Sequence, residues 1–135
     1  MKTIVALLCV GLVALSESGR VTSARAEARD VIVNVNHSRF EPQRFTFDAG
    51  DRVRFVIHNG DPIDHEFILG DQAAQDRHEN GTERRHGAIP GEVSIPAHTT
   101  RSTTFTFDDA GSLIIGCHLP GHYDFGMRAA VTVNG

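Results

Sequence analysis

The sequence predicts an all-β fold of about eight short strands, a sandwich or a barrel, and three observations carry that prediction. Apolar residues recur at every second position along most of the chain, as they do in a strand with one buried face. The segments end in turn chemistry, at "DAGD", "NGDP", "IPAH" and "DDAG". No amphipathic stretch of useful length repeats at helical spacing.

Taken in chain order, "VIVNVN" puts Val31, Val33 and Val35 on one face, and "RFTFD" follows with Phe45 and Phe47. "RVRFVIHN" aligns Val53, Phe55 and Ile57, which turns His58 toward solvent. "HEFIL" sets His65, Phe67 and Leu69 in phase, and "GEVSI" sets Val93 and Ile95. "RSTTFTFD" contributes Phe105 and Phe107, and "GSLIIGC" runs Leu113, Ile115 and Cys117 along one side. The last segment, "MRAAVTV", aligns Met127, Ala129, Val131 and Val133. Valine, isoleucine and phenylalanine suit a pleated, half-buried surface. Residues 70–90, "GDQAAQDRHENGTERRHGAIP", break the pattern. They are polar and aperiodic, and read as an exposed excursion with room for a turn of helix at "DQAAQ".

The first residues read as an export signal. Lys2 precedes the twelve-residue apolar run Ile4–Leu15, and Ala24-Arg25-Ala26 supplies an A-x-A cleavage site. A bilayer span needs about 20 apolar residues, so this run is too short to be one. Cleavage after Ala26 leaves residues 27–135 as a single domain, periplasmic or secreted, with no membrane insertion. It also removes Lys2, Arg20, Arg25 and Glu17, taking the net charge from −4 to −6. That acidity and the lack of any basic run argue against nucleic acid as a partner. Cys9 leaves with the signal, so Cys117 becomes the sole cysteine. A lone thiol in an oxidising compartment has no internal partner and calls for something to hold it.

The stretch "GCHLPGHYDFGM", residues 116–127, supplies that something. By strand phase, Cys117 ends one inward face and Met127 begins the next, with His122 on the loop between. His65 starts another strand and can close the site from across the sandwich. Two imidazoles, one thiolate and one weak thioether form the donor set of a mononuclear copper site. Zinc gains little from methionine, and hard cations prefer carboxylates. A binuclear copper centre needs a second cysteine.

The C-x4-H-x4-M spacing of Cys117, His122 and Met127 resembles that of rusticyanin-type cupredoxins, the type 1 blue copper proteins. "VRFVIHNGDPIDHEF", with an Asn shortly before His65, is similar to the region of the family's first ligand. The resemblance implies a Greek-key β-sandwich with His65, Cys117, His122 and Met127 around one copper ion that alternates between Cu(I) and Cu(II). It also implies a one-electron carrier, not an enzyme, with the more exposed histidine as the electron exit. Glu66 departs from the family, many of whose members carry here a small polar residue that ties the two ligand loops together. "GCHLPGH" also resembles the copper end of multicopper oxidases, but those need H-x-H pairs and this chain has none.

Around the site, Pro62, Ile63, Leu119, Pro120 and Phe125 would exclude water and offer an apolar rim for transient docking of redox partner proteins to a monomer. His118 reads as a rim residue, and His37 and His98 as turn residues without a role. The alternative function is copper handling, meaning sequestration or delivery in copper resistance. "HENGTERRH" would support it by grouping His78, Glu79 and His86 as a lid or a second, weaker metal site. A structural zinc domain is a third reading, in which Met127→Leu would be silent.

Overall fold

In the computed structural model, residues 27–81, 86–87 and 89–135 are described; the signal-segment reading falls outside them. Nine strands and one helix follow in order: β1 (Arg29–Asn36), β2 (Arg39–Glu41), β3 (Arg44–Asp48), β4 (Arg52–Asn59), β5 (His65–Gly70), α1 (Gln72–Glu79), β6 (Glu92–Ile95), β7 (Thr100–Thr106), β8 (Gly111–Gly116) and β9 (Arg128–Asn134). They form two sheets, β2-β1-β4-β7 and β3-β9-β8-β5-β6, so the fold is the expected all-β sandwich with crossed, non-sequential connections. β1 runs parallel to β4 and β3 parallel to β9, while the other pairs are antiparallel. The strand beyond the eight expected is the three-residue β2, which has only Phe40 to bury and is too short to show a period.

The inward residues are those the alternation assigns. Val33, Val35, Val53, Phe55, Ile57, Phe67, Ile95, Ile115 and Val131 are all buried between the sheets. Five phenylalanines fill the middle: Phe55 packs against Phe45, Phe47, Phe67 and Phe107 at ring-centroid distances of 5.1–6.5 Å. Aromatic pairs at such distances add to simple burial. Leu113 and Phe105 are only partly buried, at the margin of this core.

The excursion is more structured than its sequence predicts. α1 is a two-turn helix, capped by the Asp71 carboxylate accepting from Ala74 N–H at 2.8 Å. It packs against β5 where Gln75 meets Ile68, while Glu66 faces His86, so β5 buries Glu66 and Ile68 along with His65, Phe67 and Leu69. The helix buries only Ala74 and Gln75, so it has no apolar stripe to read. What fixes it is polar. The Gln75 amide donates to Ile68 O at 3.2 Å and Ile114 O at 2.9 Å, tying the helix to two neighbouring strands. A side chain at Gly116 would meet Gln75 Oε1 at 2.5 Å and the Tyr123 ring at 2.9 Å. Only glycine lets the helix and the following loop close over the end of β8.

Candidate metal centre

β5, β8 and β9 all bring an end to the same edge of the sandwich. His65 opens β5, Cys117 follows β8, and Met127 precedes β9. The connecting loop is closed by backbone hydrogen bonds: His122 N to Leu119 O at 2.9 Å, Met127 N to His122 O at 2.9 Å, and Cys117 N to Met127 O at 3.2 Å. The ring of bonds holds the cysteine, the histidine and the methionine in one fixed relation, as repeated contact between a strand end and its own loop should.

Side-chain atoms converge accordingly. His122 Nδ1 lies 3.3 Å from Cys117 Sγ and 3.3 Å from His65 Nδ1, and the ligand atoms of all three residues lie within 4.8 Å of one another. His65, Cys117 and Met127 are buried, whereas His122 is half-buried, the more exposed of the two imidazoles. The backbone N–H of Glu66 donates to Cys117 Sγ at 3.3 Å. A link between the two ligand loops therefore exists through the main chain, with no small polar side chain at this position.

Asp61 is the residue that sequence reasoning missed. Its carboxylate accepts from His65 Nε2 at 2.9 Å, His37 N–H at 2.7 Å and Ser38 N–H at 2.8 Å. His37 and Ser38 adopt positive φ, 52° and 54°, which turns successive N–H groups onto one anion. His37 thus has a structural role through its backbone. Burial would raise the Asp61 carboxyl, but the Ser38 and His37 amides and the His65 imidazole hold it below the usual carboxylate range. With Nε2–H engaged by Asp61, the lone pair of His65 sits on Nδ1, facing the site. A carboxylate behind a histidine is the common outer support of a metal ligand. The signal in the sequence was an Asp four positions before a candidate ligand. Asn59 fixes the intervening turn, donating to Ile63 O at 2.8 Å and Ile95 O at 3.1 Å and accepting from Asp61 N–H at 3.0 Å. Replacing Asp61 with Asn should lower copper affinity about 10–100-fold, measurable by competition with a chelator of known affinity.

The arrangement fits a cation. The His65 lone pair, the His122 nitrogen and the Cys117 sulfur face one another without a hydrogen-bond donor that serves all three. Burial, then the neighbouring His65, lowers the His122 pKa, so its imidazole tends to the neutral, ligating form. Burial also pushes the Cys117 thiol up from 9.0 to about 11, against smaller opposing hydrogen bonds from the Leu119 and Glu66 amides. Loading the site therefore expels a proton from sulfur, and affinity rises with pH. In the metal-free protein the sign is opposite. A folded pKa above the unfolded one gives stability that is complete below pH 9 and lost as pH rises through about 11. The two-unit difference between 9.0 and about 11 corresponds to roughly 2–3 kcal/mol. Denaturant unfolding of the metal-free protein at pH 8 and pH 11 should show this loss relative to Cys117→Ala.

The other sequence-picked histidines are sorted by the structure. His58 is exposed and pairs with Thr100 Oγ1 at 2.8 Å. His118 is not a rim residue: its side chain is 2% exposed, held between Glu79 and Gln75, each at 2.7 Å, and stacked on Tyr123. Phe125 is 85% exposed and Ile63 46% exposed, forming with Pro62 and Pro120 an apolar fringe on the loops that carry His65 and His122. Among the described residues, no helix is long and apolar enough to cross a membrane.

Comparison with known proteins agrees with this geometry. Residues 28–134 match the model of the copper binding proteins of the plastocyanin/azurin family. The copper-resistant cuproprotein CopI of Rubrivivax gelatinosus is 35% identical over 115 residues, covering 82% of this chain and 69% of that protein. CopI of Pseudomonas aeruginosa is 26% identical over 147 residues, covering 85% and 81%. Among solved structures, auracyanin B superposes with a TM-score of 0.67 at 20% identity, covering 82% of this chain and 91% of that one.

Proposed function

This chain belongs to the plastocyanin/azurin family of copper-binding proteins, and on that premise we propose that it is an exported copper-handling protein that sequesters or delivers copper as part of copper resistance. The carrying observation is the relationship to the Rubrivivax gelatinosus protein, a copper-resistant cuproprotein that shares 35% identity over 82% of this chain. The sequence alone ranks electron carriage first and copper handling second; the relatives reverse that order.

The side chains support the reading. Held by His65, Cys117, His122 and Met127, copper can be retained as Cu(I) or Cu(II). Cys117 binds by giving up a proton that burial otherwise makes it keep, so protons compete with copper and a fall in pH favours release. Asp61 orients His65, and the Glu66 amide supports the sulfur. The chain performs no bond chemistry of its own in this proposal.

Electron carriage remains a second reading, favoured by the exposed Phe125 and Ile63 on loops next to the half-buried His122. Small apolar patches of this kind suit brief encounters with redox partners. A copper-sensitive bacterial host decides between the two. Expression of the chain should raise the copper concentration tolerated, and Cys117→Ser should not. Unchanged tolerance, together with rapid reversible oxidation and reduction of the copper-loaded protein, would assign it to electron transfer.

A further inference from the structure

Beyond the first centre, the groove lined by Glu66, His78, His86, Glu92 and His118 contains a second set of ligand atoms. We propose that His78, His86 and Glu92 form a second mononuclear site for a divalent, imidazole-preferring cation such as Cu(II) or Zn(II). This second site does not depend on whether the chain handles copper or carries electrons.

The ligand atoms are placed for it. His78 Nδ1 lies 2.7 Å from Ala74 O, and a carbonyl only accepts, so Nδ1 carries the proton. Nε2 is then the ligating nitrogen of neutral His78, and it faces Glu92 Oε2 at 3.3 Å. His86 Nδ1 faces the same oxygen at 3.4 Å, and His86 Nε2 faces Glu66 Oε1 at 3.4 Å. Both His86 nitrogens face carboxylates at 3.4 Å; in the tautomer with Nε2–H toward Glu66, the His86 lone pair is on Nδ1. Two ring nitrogens thus converge on one carboxylate oxygen, with ligand atoms of all three residues within 4.8 Å. Separations of 3.3–3.4 Å are about those between neighbouring ligands each roughly 2.0–2.1 Å from one tetrahedral ion. Ala74 O behind His78 supplies an outer hydrogen bond of the kind that orients metal-binding imidazoles, and the Glu66 carboxylate stands behind His86 at 3.4 Å. The side chains of His78 and Glu92 are each 12% exposed, so the site is built into the protein yet reachable from the groove.

Sequence placed Glu79 in this group. In the structure Glu79 pairs with His118 instead, and β6 supplies Glu92. The pairing of Ile68 with Glu92 across β5 and β6 brings that carboxylate beside the end of the helix. Glu66 adjoins His65 in the chain and touches His86, so β5 connects the two sites directly.

Titration of the full chain with Cu(II), followed by elemental analysis and electron paramagnetic resonance, tests the proposal. The wild type should take up two ions. The second should add a signal with imidazole-nitrogen coupling and no new charge-transfer band. His78→Gln/His86→Gln should stop at one ion while keeping the thiolate band, which also reports that the variant is folded. Glu92→Gln should weaken the second ion about 10-fold or more. Zn(II) added to wild type carrying one equivalent of copper in the first centre should bind once, and not to the double variant. A wild type that saturates at one ion, a second ion without nitrogen coupling, or a second ion retained by the folded double variant would overturn the assignment. If the double variant fails to fold, the wild-type stoichiometry and nitrogen coupling still decide.

Discussion

Cys117→Ser should abolish the intense visible absorption that the wild-type protein develops with Cu(II), and should weaken copper binding by more than about 100-fold. The band requires a sulfur donating charge to Cu(II), and among the described residues Cys117 is the free thiol. The affinity loss follows from the size of the whole. A protein site with four ligands carries roughly 10–16 kcal/mol of apparent binding free energy, so one ligand's share is about 3 kcal/mol or more. Serine keeps the shape of the side chain but, buried against the Glu66 amide that now serves the sulfur, ionises far less readily than a thiol. The fold should be retained, because serine is close to cysteine in size and leaves the Cys117 backbone bond to Met127 in place. A spectrophotometric titration with Cu(II) and a Cu(I) chelator competition read the two effects separately. A band of undiminished intensity in the serine variant would place the copper elsewhere.

How much of this is legible in the chain depends on which forces act locally. Strands β1, β3, β4, β5, β8 and β9 are legible because burial on one face imposes a period of two, and Cys117 and Met127 extend that period from Ile115 and to Ala129. Strand phase alone therefore carries both sulfur side chains to one edge of the sandwich. β5 defeats the same logic on its outer face, where Ile68 is buried beside α1 and Glu66 is buried facing His86. That helix is held by the Gln75 amide bridging strand carbonyls, an interaction between residues distant in sequence that leaves no periodic trace. Asp61 is hidden for a related reason: its three donors come from β5 and from the β1–β2 turn. Glu92 reaches the second cluster only through strand pairing. Local pattern reveals faces, whereas polar partners across the fold depend on register and crossing connections.

The core that positions His65 should be as sensitive as the site itself. Phe55→Ala is expected to destabilise the metal-free protein by about 3–5 kcal/mol. Phe55 is fully buried, and its ring meets Phe45, Phe47, Phe67 and Phe107. These contacts lie on both sheets, so the β-sandwich has little freedom to collapse into the space left behind. Phe67 is the nearest of the four, at 5.1 Å, and shares the inner face of β5 with His65, two positions earlier. Loosening Phe67 therefore loosens the strand that presents a ligand. Copper should counter the loss, because an ion that binds only the folded state stabilises it by about 2.7 kcal/mol at 100 times its dissociation constant. Denaturant unfolding of wild type and variant, each with and without copper, gives both quantities. The expected pattern is a large shift without copper that copper partly reverses. Stability within about 1 kcal/mol of wild type, well under the usual cost of emptying a core aromatic site, would mean that the aromatic cluster can repack around the cavity. His65 would then be fixed by Asp61 and Asn59 rather than by the core beneath it.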